Sequence, residues 1–202
     1  MTFVRLIVAA SLMLLHSLAQ ATPPTILVMG DSLSAGYGIN VEKGWVYLLQ
    51  QELAKKSRAD IVNASVSGET TSGGLTRLPN LLSTHKPTIV IIELGANDGL
   101  RGQPLKLMQE NLQAMITASQ TAGAKVLLAG MQIPTNYGQR YTTKFKETFS
   151  ILAEKNKTVL VPFLLEGVAT HSNLIQDDGL HPNTEAQPII LNNVRPLLEK
   201  IL

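Results

Sequence analysis

Apolar residues in this chain recur with two different periods, and the two alternate along it. Five short stretches are nearly continuous in apolar, often β-branched residues: Ile26-Leu27-Val28-Met29, then residues 60–64, 88–94, 125–129 and 158–163. Continuity, rather than alternation with polar residues, is the pattern of strands covered on both faces, as in a parallel sheet. Ile89-Val90-Ile91-Ile92 is the strongest of them and reads as the central strand. Between these stretches the apolar residues fall at helical spacing. Trp45, Leu48, Leu49 and Leu53 mark a one-sided helix over 45–56, and Leu105, Met108, Leu112, Met115 and Ile116 mark another over 105–121, closed by Gly123. Further helices are predicted over 75–82, with an irregular or kinked start at Pro79, over 141–155, and over 183–202, where Pro188 and Pro196 disturb the course.

Strands alternating with helices, without linker or repeat, predict one α/β domain over residues 22–202. The expected architecture is a three-layer α/β/α sandwich around a five-stranded parallel sheet. Two irregular stretches, 132–140 and 167–183, are long for a compact domain, which points to function.

The first residues change the picture of location. Arg5, the apolar stretch 6–15 and the small-residue site Ala19-Gln20-Ala21 form a secretory signal over residues 1–21. The apolar stretch is shorter than the roughly 20 residues of a bilayer span, so a cleaved leader is expected and no stable membrane insertion. The periplasm is the expected address. The chain has 202 residues, a net charge of +2 and no cysteine. Its Lys and Arg are scattered among acids, which argues against a nucleic-acid partner. Thiol catalysis and cysteine-ligated metals are excluded.

Each of the first three strands stops at a polar cluster: Gly30-Asp31-Ser32-Leu33, Ser67-Gly68-Glu69 and Asn97-Asp98. In a parallel sheet these ends share one edge, where ligands bind. Ser32 needs a base and donors for a developing oxyanion. His16 leaves with the leader, His85 precedes a strand and so lies at the opposite edge, and His171 has no carboxylate close in sequence. In Asp178-Gly179-Leu180-His181 an acid stands three residues before the imidazole, with Gly179 allowing a tight turn. Asp178 there can accept the Nδ1 proton and leave Nε2 facing Ser32. Asp177 offers the same chemistry at a separation that fits a tight turn less well. The Ser32 and Gly68 main-chain N–H groups and the Asn97 amide make a plausible oxyanion set. Each cluster also has a plain structural reading, as a turn or a helix cap. A turn alone gives no reason for complementary groups to follow at successive strand ends and in a late loop.

Gly30-Asp31-Ser32-Leu33, Gly68, Gly95-Ala96-Asn97-Asp98 and Asp178-Gly179-Leu180-His181, in that order, resemble the four motif blocks of the SGNH, or GDSL, hydrolase superfamily. The resemblance implies a flavodoxin-like sandwich. It also implies Ser32 as nucleophile, His181 as general base, Asp178 as its orienter, and Ser32, Gly68 and Asn97 as the oxyanion hole. Residues 30–36, 67–79, 93–102 and 176–183 are similar to the periplasmic thioesterase, lysophospholipase and arylesterase branch. In that branch the segment matching 99–104 is a mobile loop over the acyl chain, and the positions matching Ile133 and Tyr137 line the acyl groove. This chain has Gln103 where some members carry an aromatic, and Ile133 where some carry leucine.

The expected reaction is transfer of an acyl group from an ester or thioester to water through Ser32, with no metal or organic cofactor. The expected partner is a small acyl ester or thioester, lysophospholipid among them, and a monomer is expected. A carbohydrate O-acetylesterase is the alternative within hydrolases, although 133–137 suits an alkyl chain better than a sugar ring. A non-catalytic periplasmic lipid-binding protein is the alternative outside them. A dinucleotide site is excluded, because residues 30–36 lack the G-x-G-x-x-G spacing.

Overall fold

The computed structural model of the protein describes residues 23–55 and 59–202, so the leader expected over 1–21 lies outside the described residues. The strands are β1 (Thr25–Gly30), β2 (Asp60–Asn63), β3 (Ile89–Glu93), β4 (Lys125–Ala129) and β5 (Val159–Val161). The helices are α1 (Ser32–Ala35), α2 (Trp45–Ala54), α3 (Thr71–His85), α4 (Ala96–Leu100), α5 (Leu105–Thr121), α6 (Gln139–Asn156) and α7 (Gln187–Leu198). The strands pair in the order β2-β1-β3-β4-β5, every neighbouring pair parallel. The expected three-layer sandwich is therefore the one observed.

Burial explains which strands lie where. Every residue of β3 is buried, as are Ile26 to Gly30 of β1, whereas β2 at the edge is exposed or half-buried throughout. Helices α2 and α7 pack together and cover one face of the sheet, while α3, α5 and α6 cover the other. Their inward residues are those the helical spacing singled out: Trp45, Leu49 and Leu53 of α2, and Met108, Leu112, Met115 and Ile116 of α5. Each such side chain, once buried, contributes about 1.5–3 kcal/mol. The order of strands reverses between β1 and β3, so the loops that leave these two strands part in opposite directions and open a crevice.

Several boundaries differ from the sequence expectation for local reasons. The turn after β1 and residues 96–100, both expected as loops, are single helical turns, too short to show any apolar period. Helix α3 begins at Thr71, not at 75, because Thr70 caps it by accepting from the Gly73 N–H. Its first turn is Thr-Ser-Gly-Gly, which carries no apolar signal. Pro79 lies inside α3 and not at its start. Strand β5 is three residues long, shorter than the expected 158–163. Helix α7 occupies only the middle of 183–202, with Pro188 at its start, where a missing N–H costs nothing, and Pro196 within its last turn.

Pro79 is exposed and leaves the Leu75 carbonyl without its intrahelical donor. Pro79→Ala is expected to stabilise the protein by about 1–3 kcal/mol, read as a higher urea midpoint. An unchanged or lower midpoint would show that the helix carries no cost at this ring.

Candidate active site

The crevice between the ends of β1 and β3 is built from Gly30 outward. Gly30 stands opposite Glu93 in the β1–β3 register. A Cβ on Gly30 would lie 2.6 Å from Glu93 Oε2 and 2.7 Å from the Ser34 side chain, so only glycine fits. The chain then turns sharply. The Asp31 N–H donates to Glu93 Oε2 (3.2 Å), the Ser34 hydroxyl donates to the same oxygen (2.7 Å), and Asp31 Oδ1 accepts from the Leu33 N–H (3.0 Å). Asp31 is thus the cap that its plain structural reading foresaw. The same cap makes Ser32 the first residue of α1, with its hydroxyl free to face the crevice.

His181 arrives from the far end of the chain on a small antiparallel ribbon. Ile175 bridges Pro182, the Gln176 N–H donates to the His181 carbonyl (2.7 Å), and the Gly179 N–H donates to Gln176 (2.9 Å). Gln176 also donates through Nε2 to the Tyr37 carbonyl (2.9 Å), which ties the ribbon to the loop after α1. Asp178 Oδ1 accepts from the Leu180 and His181 N–H groups, both at 2.9 Å, and Oδ2 lies 2.6 Å from His181 Nδ1. His181 Nε2 is 2.9 Å from Ser32 Oγ. The imidazole tautomer that suits both contacts has Nδ1–H donating to Asp178 and Nε2 accepting from Ser32. Asp178, not Asp177, is the carboxylate set against the ring. The His181 N–H, then its ring, then the Leu180 N–H hold the Asp178 pKa down to about 2. Tyr37 packs on the imidazole with ring centroids 4.5 Å apart.

The three oxyanion candidates converge on the same crevice. Ser32, Gly68 and Asn97 all line one cavity with His181. As the first residue of a helix, Ser32 has an N–H without an intrahelical acceptor. Gly68 holds φ at +78°, in the left-handed region that glycine adopts without steric cost. Asn97 lies on α4 and donates through Nδ2 to Asp31 Oδ2 (3.1 Å). The acceptor fixes which way the amide faces, and the second Nδ2–H remains for another acceptor.

Two buried carboxyl groups behind the Ser32 turn were not foreseen as a pair. Glu93 is fully buried, with Oε2 accepting twice and Oε1 unpartnered among the described residues. Burial, aided by the charge of Asp31, pushes its pKa well above the ordinary range. Burial also raises Asp31, to about 6, against the pull of the Leu33 N–H, the Asn97 amide and the His181 charge. Both oxygens of Asp31 have a donor while one oxygen of Glu93 has none among the described residues, so of the two Glu93 is the group that burial drives toward its protonated form. The signal for Glu93 was in the sequence, as one acid closing an otherwise apolar strand. Asp98 is likewise buried, accepting from the Thr71 N–H (2.9 Å) and hydroxyl (2.6 Å) and so anchoring the start of α3.

The cavity has a volume of about 360 Å³ and runs from Ser32 between α4 and residues 131–134. Leu33, Ala96, Leu100, Met131, Ile133, Pro134 and Leu165 line it. Ile133 is where the resemblance implied. Tyr137 is not in the lining; it stands behind it, with its hydroxyl donating to the Leu100 carbonyl (2.8 Å) and its ring 39% exposed. Its link to the groove runs through the main chain of Leu100.

A group whose folded pKa is raised binds its proton more tightly folded than unfolded, so stability falls as pH rises from the unfolded value toward the folded one. Glu93→Gln keeps an acceptor for Asp31 and Ser34 but has nothing to ionise. Its stability relative to the wild type is therefore expected to improve as pH rises above about 5, with no such trend below about 4. Urea unfolding across this range checks it, and a pH-independent difference would mean that Glu93 is not the proton holder.

Sequence and structure comparisons give the family. The model of the GDSL-like lipase/acylhydrolase family matches residues 28–188. Esterase TesA of Pseudomonas aeruginosa is 48% identical over 198 residues, 98% of each chain. Thioesterase 1/protease 1/lysophospholipase L1 of Escherichia coli K12 is 40% identical over 182 residues, 90% of this chain and 86% of that protein. The crystal structure of the psychrotrophic esterase EstA from Pseudoalteromonas, inhibited by monoethylphosphonate, superposes with a TM-score of 0.83 at 46% identity, covering 87% of this chain and 97% of that one. With its four motif clusters gathered at one edge of a parallel sheet, this chain belongs to the GDSL-like lipase/acylhydrolase family.

Proposed function

We propose that the protein hydrolyses carboxylic esters and thioesters of alkyl acyl groups through an acyl-enzyme on Ser32. The observation that carries this reading is the unbroken run of contacts from Asp178 through His181 to Ser32, at 2.6 and 2.9 Å, at the mouth of an apolar cavity. His181 Nε2 takes the Ser32 proton as Oγ attacks the acyl carbonyl. The negative charge on Asp178, kept ionised by its three donors, favours the imidazolium that results. Charge developing on the carbonyl oxygen meets the N–H groups of Ser32 and Gly68 and the free Nδ2–H of Asn97. Each such donor is worth about 3–4 kcal/mol to the transition state. The imidazolium then protonates the leaving alcohol or thiol. A water, deprotonated by the same nitrogen, releases the acid.

The apolar lining favours an alkyl chain over a hydroxyl-rich ring, since a sugar would leave its hydroxyls without partners along that wall. The related proteins are named as esterase and as thioesterase/lysophospholipase, which supports both oxygen and sulfur esters as substrates. We take the mature enzyme to act in the periplasm as a monomer. No helix among the described residues is long and apolar enough to cross a membrane.

Hydrolysis of p-nitrophenyl esters of increasing chain length is expected to peak above acetate and to vanish in Ser32→Ala, whose folding is checked by circular dichroism. Full activity in Ser32→Ala, or an inert wild type, would move the lipid-binding alternative to the front. Asp178→Asn is expected to lower kcat by about 10²–10⁴-fold, because an amide can hold the ring but not favour its charge. Near-normal turnover in that variant would show that Asp178 does not serve His181.

A further inference from the structure

We propose that the hydroxyls of Tyr137 and Tyr141 set how long an acyl chain the cavity accepts, by clamping its two walls together beyond the reacting centre; this rests on the hydrolase reading above. One wall is α4, which runs from Asn97, bonded to Asp31 next to Ser32, to Leu100. Three residues of helix carry that wall about 4.5 Å away from the reacting carbonyl. The other wall is residues 131–134, and the chain leaving it leads directly to Tyr137 and Tyr141. The Tyr137 hydroxyl donates to the Leu100 carbonyl (2.8 Å). The Tyr141 hydroxyl donates to the Gln103 carbonyl (2.9 Å), with the Gly99 carbonyl farther off at 3.4 Å. Both bonds thus join the continuation of one wall to the far end of the other.

Packing holds α4 only as far as Gly99. A Cβ there would lie 2.5 Å from the buried Phe145 ring and 3.1 Å from Ile133, so the helix is pressed against α6 and the facing wall. Past Gly99 the packing stops. Arg101 and Gly102 are exposed, and nothing lies within 4 Å of where a Cβ of Gly102 would stand. This is the segment whose counterpart in the resembling branch is a mobile loop, and what ties it back is polar. The Leu100 carbonyl belongs to the last turn of α4, where a helix leaves its acceptors without internal donors. Arg101 adds a bond to the Gly68 carbonyl (3.0 Å), but through a long exposed side chain that can follow a displaced main chain. A tyrosine hydroxyl stands at the end of a rigid ring with two rotatable bonds, so the same displacement breaks its bond.

Motion of this segment and a clamp upon it are compatible, because the two bonds define its closed position and the cost of leaving it. An acyl chain that ends before Leu100 meets the walls as they stand. A longer chain has to part them, and the freed carbonyls then turn to water. Each bond, exchanged against water, weights that opening by only about 2- to 10-fold, so the clamp discriminates by length without forbidding long chains. It does not act on the chemistry at Ser32. Hydroxyls that merely capped the end of α4 would change stability and treat every chain length alike.

The test measures kcat/KM for p-nitrophenyl esters from butyrate to laurate, below the concentrations at which they aggregate, in the wild type, Tyr137→Phe, Tyr141→Phe and the double variant. Phenylalanine keeps the ring and removes the donor. The readout is the ratio of laurate to butyrate, in which a general loss of activity cancels. Each single substitution is expected to raise this ratio by about 2- to 5-fold and the double by about 5- to 20-fold. A ratio that stays the same or falls overturns the proposal, and an unchanged ratio with a lower urea midpoint assigns the hydroxyls to capping α4. Tyr137→Phe alters a partly exposed ring and decides the question alone if the double variant fails to fold. A wild type inert on every ester overturns the hydrolase reading and this one with it; a wild type active on esters, with a ratio that neither substitution moves, overturns this one alone.

Discussion

The parallel pairing of β1 with β3 is the constraint on which the rest depends. It puts Gly30 beside Glu93 at the carboxyl edge, in the part of the sheet that is buried on both faces. A strand ending there cannot continue into solvent, and its polar main chain must find partners inside the protein. Glu93 supplies one acceptor to two donors of the turn, and Asp31 supplies the next. The direction of Ser32 follows from these bonds. So does that of Asn97, because the Asp31 carboxylate that caps α1 also orients the amide.

Burial and hydrogen bonding sort three carboxyl groups within this small region into different states. Asp178, half-exposed and held by three donors, stays ionised beside the imidazole. Glu93, enclosed with one oxygen unpartnered among the described residues, is pushed toward its protonated form by burial. Asp31 lies between the two in burial and in partners. The result is a limited negative charge behind Ser32, in a crevice where a further carboxylate would oppose any anion that forms there.

Most of the architecture was legible because the inward faces announce themselves. Apolar runs marked β1, β3, β4 and β5, the short pair Ile61-Val62 marked β2, and spacing marked α2 and α5 to within a few residues. What escaped was decided by single contacts. Helices α1 and α4 are shorter than any hydrophobic period, and the start of α3 depends on Thr70 and Asp98, neither of which is apolar. Among the candidate site residues, Ser32, Gly68, Asn97, Asp178 and His181 could be picked out because each closes a strand or turn with a distinctive residue type, and the structure brings them to one crevice. That Tyr137 bonds the Leu100 carbonyl behind the lining could not be read, since a carbonyl oxygen has no sequence signature. Glu93 stood in plain view, but whether an acid at a strand end is solvated or enclosed depends on which strand lies beside it.

The His181 ribbon has a consequence for how such a protein can vary. Asp178 binds the ring and the two N–H groups of its own four-residue turn, so imidazole and carboxylate form one rigid piece. Their mutual geometry is set without reference to the sheet. Only the docking of that piece onto Ser32 remains to be specified, and Gln176 and Tyr37 specify it from outside the reacting atoms. The stretch between Val168 and Ile175, beyond the buried residues that follow β5, can thus change course while the imidazole–carboxylate pair stays intact, as a cassette clipped to Ser32.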